Sequence, residues 1–361
     1  MAVSVRDVAT LAGVSVGTVS NVLNHPEKVS KATVDKVQSA IEELGFVRND
    51  AARQLRAGES RTVGLIVLDL RNPFFTEVAR GAEERAAELG FSVLVANSDE
   101  QEERERTHLG LFEEQRVFGV LVTPMAANMP QLERLHKRGT PVVLVDRESA
   151  DERYPSVAVD DRTGGRIAVE HLLETGHRRV AFLGGPMEIQ QVTDRFEGAR
   201  DAVREVPGAT LEVLTTDALS MSEGRRAGLL LAERDGVDLP DAVFAANDML
   251  ALGLLQSLQG TSHATVPESI ALIGYDDIDF AAFASTSLSS IHQPAHLIGS
   301  KAMDLLVAAA RDPKSTPEHI RFTPELVARA STPATTSKVP SKGSITASTA
   351  VRRAAPSAKS G

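Results

Sequence analysis

The chain has 361 residues, 42% of them apolar and 24% charged, which calls for two or three folded units and excludes a wholly disordered chain or a fibrous repeat. It has no cysteine, which rules out disulfides, thiolate metal sites and cysteine nucleophiles, and apolar runs such as Val63–Leu68 are far short of the roughly 20 residues a membrane helix needs. Of the net charge of −10, residues 1–62 carry eight basic and seven acidic side chains and residues 331–361 five basic and none acidic, which leaves −16 on the body between; any DNA contact is expected to be confined to the head. No secretory signal is read at the start, so a cytoplasmic protein with no membrane association is expected.

The first elements are short helices. Ser4, with Asp7 three residues on, opens a helix that runs to about Ala12 and stops at Gly13. Ser15 caps a second, Val16–Asn24, which His25-Pro26 ends. Ser30 is expected to cap a third, Lys31–Leu44, with Gly45 at its end. From Thr62 apolar strand-like runs alternate with amphipathic helices: Val63–Leu68, Phe75–Leu89, Phe91–Ala96, Arg104–Gln115, Val120–Val122, Leu132–Arg138 and Val142–Val145. A bridging strand, Val157–Val159, leads to a second round: Ile167–Thr175, Val180–Leu183, Phe196–Val206, Leu211–Leu214, Arg225–Ala232, Ala242–Ala245, Leu250–Leu258 and Ile270–Ile273. This reads as α/β architecture: an all-α head, then two doubly wound parallel-sheet subdomains with a cleft between them. The expected boundaries are 1–48 for the head, 49–61 for a hinge and linker, and 62–330 for the body. Within the body, 62–159 joins 292–320, and 160–291 joins 321–330. Residues 331–361 read as a disordered tail without a leucine heptad.

The segment Arg6–Val22 has the spacing of a helix-turn-helix. Ala9 is small where the helices cross, and Gly13 fits a turn that needs positive φ. The second helix presents Val16, Gly17, Thr18, Ser20 and Asn21 outward. A helical bundle used only for packing is the plain alternative.

The run VSVRDVATLAGVSVGTVSNVLN (Val3–Asn24), followed by VSKATVDKVQSAIEELGFVRNDAARQLRAGESRTVGLIV (Val29–Val67), resembles the head and hinge of the lactose/galactose repressor (LacI/GalR) family. The resemblance extends to about Ala330. It implies major-groove reading by Val16, Gly17 and Asn21, with Thr18 and Ser20 on phosphates. It also implies a hinge helix over Asn49–Ala57, with Arg48 where many members have proline. There Asn49 belongs to the DNA-contacting set, Ala52 packs on the partner hinge, Leu55 wedges into the minor groove and Arg56 follows it.

The body resembles periplasmic sugar-binding proteins, as that family's does. Candidate effector residues lie at strand ends and helix starts: Asn72, Phe74, Phe75, Thr123, Asp146, Arg147, Arg195, Phe244, Asn247, Asp276 and Gln293. Such a mixture suits a polyol, because carboxylates and amides take hydroxyl pairs and phenyl faces cover a sugar ring. Phe74 and Phe75 also read as core, Asp161 as a helix cap, Asp248 as a helix-dipole charge, and Asp277 and Asp279 as solvated. The enzymatic signatures GxSxG, GxxxxGK[ST], HExxH and GxGxxG after the first strand are absent, and the nine histidines are scattered. No catalytic residue, metal or cofactor is expected. The expected protein is a homodimeric regulator, a repressor of a palindromic double-stranded DNA operator, gated by a small effector, with a sugar favoured. A solute-binding protein and a sugar-modifying enzyme with a helical accessory domain are the alternatives.

Overall fold

A computed structural model of the chain describes residues 3–46, 60–125, 130–149 and 153–333. The expectations for Asn49, Ala52, Leu55 and Arg56 lie outside the described residues.

The head is α1 (Val5–Ala12), α2 (Val16–Asn24) and α3 (Lys31–Leu44). Ser4 and Asp7 form a reciprocal capping box at the start of α1. Gly13 closes that helix at φ 65°, in the left-handed region where a β-carbon is penalised. Ser15 caps α2 through the Thr18 amide at 3.0 Å. Ser30 departs from expectation: its hydroxyl pairs with the Thr33 hydroxyl at 2.9 Å and makes no side-chain cap. Val8, Ala9, Val19, Val22, Val37, Ala40 and Phe46 form a separate small core.

The first lobe runs through β1 (Thr62–Val67), α4 (Pro73–Glu88), β2 (Ser92–Asn97), α5 (Glu102–Glu114), β3 (Gly119–Val122), α6 (Pro130–Lys137), β4 (Val142–Val145) and β5 (Ser156–Val159). The second holds α7 (Asp161–Glu174), β6 (Arg179–Gly184), α8 (Gln190–Arg204), β7 (Thr210–Thr215), α9 (Met221–Ala232), β8 (Ala242–Ala245), α10 (Asp248–Leu258) and β9 (Ala271–Ile273). Then follow α11 (Asp279–Phe283), β10 (Ser290–His292), α12 (Ala295–Arg311), β11 (His319–Phe322) and β12 (Glu325–Val327). The first sheet has the order β11-β5-β4-β3-β1-β2 and the second β7-β6-β8-β9, each parallel throughout. β10 and β12 pair antiparallel. The chain passes between the lobes after β5, after β10 and after β11. β11 continues to Phe322, two residues past the crossing expected at 320.

The structure corrects three further expectations. α7 and α8 each start six residues before their apolar runs, at Asp161 and Gln190 instead of Ile167 and Phe196. Their first turns are polar because they face the cleft, so hydrophobic periodicity does not register them. Arg195 therefore sits in the second turn of α8 and does not open it. The 17-residue α12 was not expected at all; it packs on α4 with Gly81 and Gly299 at the crossing, each against the other helix's backbone. The ordered body also passes residue 330. Ser331 and Thr332 are buried, and Ser331 extends the hydrogen bonding of β9, with the Leu272 amide on its carbonyl at 2.8 Å.

Candidate functional site

Loops at the carboxyl ends of both sheets converge on one buried polar cluster, where open α/β folds place their ligands. Asp146 follows β4 and Asp276 follows β9, with φ of 54° and 106°. Positive φ is costly for a residue with a side chain and tends to be retained at functional positions. Asn72 caps α4, accepting the Phe74 amide at 3.0 Å, and its Nδ2 crosses the cleft to Asp276 Oδ2 at 2.8 Å. Gln293 donates to the other Asp276 oxygen at 2.7 Å. Gln191 on α8 donates across the cleft to Asp146, to its backbone carbonyl and to Oδ2, the latter at 3.1 Å. Arg195 donates from Nε to Asp161 at 2.7 Å and from Nη1 to the Ala246 carbonyl at 2.7 Å, with Asp276 Oδ1 3.9 Å away. Its guanidinium lies 3.7 Å above the centre of the Tyr275 ring.

The electrostatics follow from burial. Desolvation pushes Asp146 well above the usual carboxylate range, and the neighbouring Asp161 adds to it. Burial also raises Asp161, against the pull of Arg195. Asp276 rises to about 6 through burial, opposed by Arg195, Asn72 and Gln293. Burial works against the Arg195 charge, but Asp161 and the other carboxylates hold it above the ordinary arginine value. Among the described residues, Thr123 Oγ1, Asp146 Oδ1, Gln191 Oε1 and Gln293 Oε1 are buried here with no hydrogen-bond partner, as is the Tyr275 hydroxyl. A cluster of orphaned buried oxygens is costly unless something donates to it.

Asn72, Asp146, Arg195, Asp276 and Gln293 are thus brought together. Arg147 is turned back on its own lobe, donating to the carbonyls of Pro124 and Met125 at 2.9 and 3.3 Å. Asn247 caps α10 through the Leu250 amide at 2.9 Å and donates to the Leu219 carbonyl at 3.2 Å, so both ends are committed to structure. Phe74 and Phe75 meet edge to face, 5.0 Å apart, and both join the large core. Phe244 departs from expectation. It is fully buried, with its ring on Phe182 at 5.4 Å and behind Tyr275 at 6.5 Å, so it supports the cluster from the core. Asp161, Gln191 and Tyr275 belong to the cluster and were absent from the candidates. Asp161 does not cap its helix, because Asp160 does, through the Thr163 amide at 2.9 Å. The only sequence signal was the Asp160-Asp161 doublet, one residue for each task. Asp277 is not solvated but pairs with Arg329 at 2.7 Å, whereas Asp279 is exposed; Asp248 stands in the first turn of α10, where a helix-dipole charge belongs, and is fully buried on the Ser290 hydroxyl and the Ile278 amide.

A cavity of about 180 Å³ opens beside the cluster, lined by Arg147, Asp161, Gln191, Asp194 and Arg321 among others. A larger recess of about 690 Å³ lies at the opposite end of the first sheet, lined by Phe118, Thr140 and Pro141. It adjoins the amino ends of the strands and has no comparable convergence of buried polar groups.

In the head, Val16, Gly17 and Asn21 are exposed on one side of α2, while Thr18 and Ser20 are half-buried. The Thr18 hydroxyl pairs with that of Ser15 at 2.9 Å, and the Ser20 hydroxyl accepts from Asn24 at 3.2 Å.

A helix-turn-helix head ahead of a two-lobed body with a polar interlobe cluster defines a class: a DNA-binding regulator that responds to a small ligand. Residues 4–49 match the lacI family of bacterial regulatory proteins, and residues 169–332 match the periplasmic binding protein-like domain. The ribose operon repressor of Escherichia coli (strain K12) is 32% identical over 339 residues, covering 91% of this chain and 99% of the relative. The lac repressor dimer bound to operator and the anti-inducer ONPF superposes with a TM-score of 0.77 at 26% identity, over 92% of this chain and 100% of that one. A LacI family regulator from Enterococcus faecium with bound ribose has a TM-score of 0.68 at 29% identity, over 76% and 99%. The chain belongs to the LacI family of bacterial transcriptional regulators. It is a ligand-responsive DNA-binding repressor and not an enzyme.

Proposed function

We propose that the effector is a small neutral sugar, a pentose first, held by Asn72, Thr123, Asp146, Gln191, Arg195, Asp276 and Gln293. The observation that carries this is the set of orphaned buried oxygens on Thr123, Asp146, Gln191 and Gln293. All four can accept, and a polyol supplies hydroxyl donors at close spacing. Ribose in the Enterococcus faecium relative and in the name of the Escherichia coli one makes it the first candidate.

The working unit is a homodimer on a palindromic operator in the cytoplasm. β2 is a sheet edge with Leu94 and Val95 exposed, and α11 exposes Phe280 and Phe283, the latter by 86%. Exposed apolar surface of this kind marks an interface. The head reads base edges with Val16, Gly17 and Asn21, while Thr18 and Ser20 orient it on phosphates. Coupling arises because the bonds Asn72–Asp276 and Gln191–Asp146 join the two lobes. A ligand that takes over those groups changes the relation of the lobes, and through the hinge the spacing of the heads. Such coupling is typically about 1–3 kcal/mol.

Thermal-shift and calorimetric titration of the full chain with D-ribose, other pentoses, hexoses, ribose 5-phosphate and purine bases tests the reading. Gel shifts on a palindromic operator with and without the hit complete it. A neutral sugar is expected to stabilise the body and alter operator affinity. Stabilisation by a base or a phosphate ester alone refutes it.

A further inference from the structure

The first turns of α7 bring Asp161, Gly164 and Gly165 to one side of the helix, at positions i, i+3 and i+4. Each serves Arg195 or the ring beneath it. Asp161, almost fully buried, accepts Arg195 Nε at 2.7 Å. Gly164 leaves room for Tyr275, since a β-carbon there would lie 2.1 Å from the phenol oxygen. Gly165 admits the Arg195 backbone, since a β-carbon there would lie 2.0 Å from its carbonyl oxygen. The guanidinium is thereby held at Nε by Asp161, at Nη1 by the Ala246 carbonyl and on its face by Tyr275. Nη2 bonds no described residue.

The charges around it matter as much as the geometry. Arg195 is buried among Asp161, Asp146 and Asp276. The second arginine, Arg147, faces Glu105 and Asp194 and spends Nη1 on two carbonyls. Arg321 pairs with Glu148 and Asp160, each at 2.6 Å, so among the described residues these cations of the cleft each have a carboxylate to balance them. An anionic ligand would have to displace that balance at low dielectric, whereas a neutral hydroxyl needs only a hydrogen bond from Arg195.

We propose that Asp161 is a positioning residue for Arg195 and sets the charge selectivity of the cleft, so that neutral sugars are taken and phosphorylated sugars refused. This deepens the sugar reading above and rests on it. Asp161→Asn keeps the shape and removes the charge. Asp161→Glu keeps the charge and displaces it. Leu172→Ala is the comparison, because it weakens the core face of the same helix without removing a charge from the cleft or touching Arg195.

The experiment uses the full chain, with operator binding as the check that each variant is folded. Affinities for D-ribose and D-ribose 5-phosphate are measured by calorimetry, and the response to inorganic phosphate by thermal shift. The parent is expected to bind ribose and to ignore both anions. Asp161→Asn is expected to lose at least tenfold in ribose affinity and to gain stabilisation by ribose 5-phosphate and inorganic phosphate. Asp161→Glu is expected to lose ribose affinity and still refuse both anions. Leu172→Ala is expected to melt lower with its selectivity unchanged. Equal loss of ribose in Asp161→Asn and Leu172→Ala, with no gain of anion binding in either, overturns the proposal by making Asp161 merely structural. A parent that binds ribose 5-phosphate as tightly as ribose also overturns it. If the parent binds no neutral sugar while Asp161→Asn gains phosphate, the charge role of Asp161 stands and the sugar reading falls. If no variant changes any response, both fall.

Discussion

Gly165→Ala tests the link between helix packing and the cleft. α7 and α8 cross backbone to backbone: a β-carbon on Gly165 would lie 2.0 Å from the Arg195 carbonyl oxygen and 2.7 Å from its Cα. The reciprocal residue, Gly198, would meet the Arg162 carbonyl oxygen at 1.9 Å. To reach an ordinary contact the helices must separate by more than about 1 Å, and no side chain is present to rotate away. Overpacking of a close core costs about 1–3 kcal/mol, and a backbone-on-backbone clash belongs at the upper end. For a body of this size that lowers the melting temperature by roughly 6–12 °C. Arg195 is the residue displaced, and binding geometry is lost beyond about 0.5 Å, so ligand affinity is expected to fall at least tenfold. Gly110→Ala on α5 is the comparison. Its β-carbon meets nothing within 4 Å, and the exchange is expected to stabilise the helix by about 1 kcal/mol. Calorimetric melts and ligand titrations of the three proteins decide the matter. If Gly165→Ala melts within 2 °C of the parent (a shift of about 1 kcal/mol or less) and keeps its ligand response, the close crossing does not hold the site.

Three more outcomes are expected. Glu100 and Glu105 are both raised by burial to about 7, each partly relieved by one backbone amide, Leu219 across the cleft and Met125 respectively. A raised carboxyl binds its proton more readily folded than unfolded, so it costs stability as pH rises from the ordinary glutamate value of 4.5 through about 7. Glu105→Gln, measured by melting between pH 5 and 8, is expected to match the parent at the acid end and exceed it by up to about 3 kcal/mol at the alkaline end; equal pH slopes contradict this. Asn21→Ala is expected to relax base preference at one operator position, and Ser20→Ala to weaken all sequences alike, with a panel of single-base operator variants as the readout; parallel profiles contradict the division. Leu55→Ala is expected to lose roughly a few kcal/mol of specific operator affinity with fold and ligand binding kept, and parent-like affinity at equal salt refutes the hinge reading.

The class of architecture and the head are legible in local sequence signals. Capping residues, Gly13, Gly45 and an apolar 3/4 spacing are local signals, and α1, α2 and α3 begin and end where those signals stand. Strand–helix alternation likewise announced two parallel sheets, because the inner strands β1, β3, β4, β6 and β8 are buried on both faces and read as continuous apolar runs. Tertiary structure alone decided which polar residues meet. Asp146 and Asp276 come from two separate loops and Arg195 from the second turn of α8, and only the packing of two lobes brings them within reach of one another. Residues whose apolar context predicted nothing, Asp161 and Gln191, entered the cluster because the polar first turns of α7 and α8 are buried against it. Phe244 went the other way: an apolar residue at a strand end met Phe182 and Tyr275 and became core. α12 escaped the reading because its packing partner α4 lies far away in the chain and the short strands on either side of it, β10 and β11, are not continuous apolar runs. Local periodicity reports which face of an element is apolar; what a polar face is buried against is fixed by contacts distant in sequence.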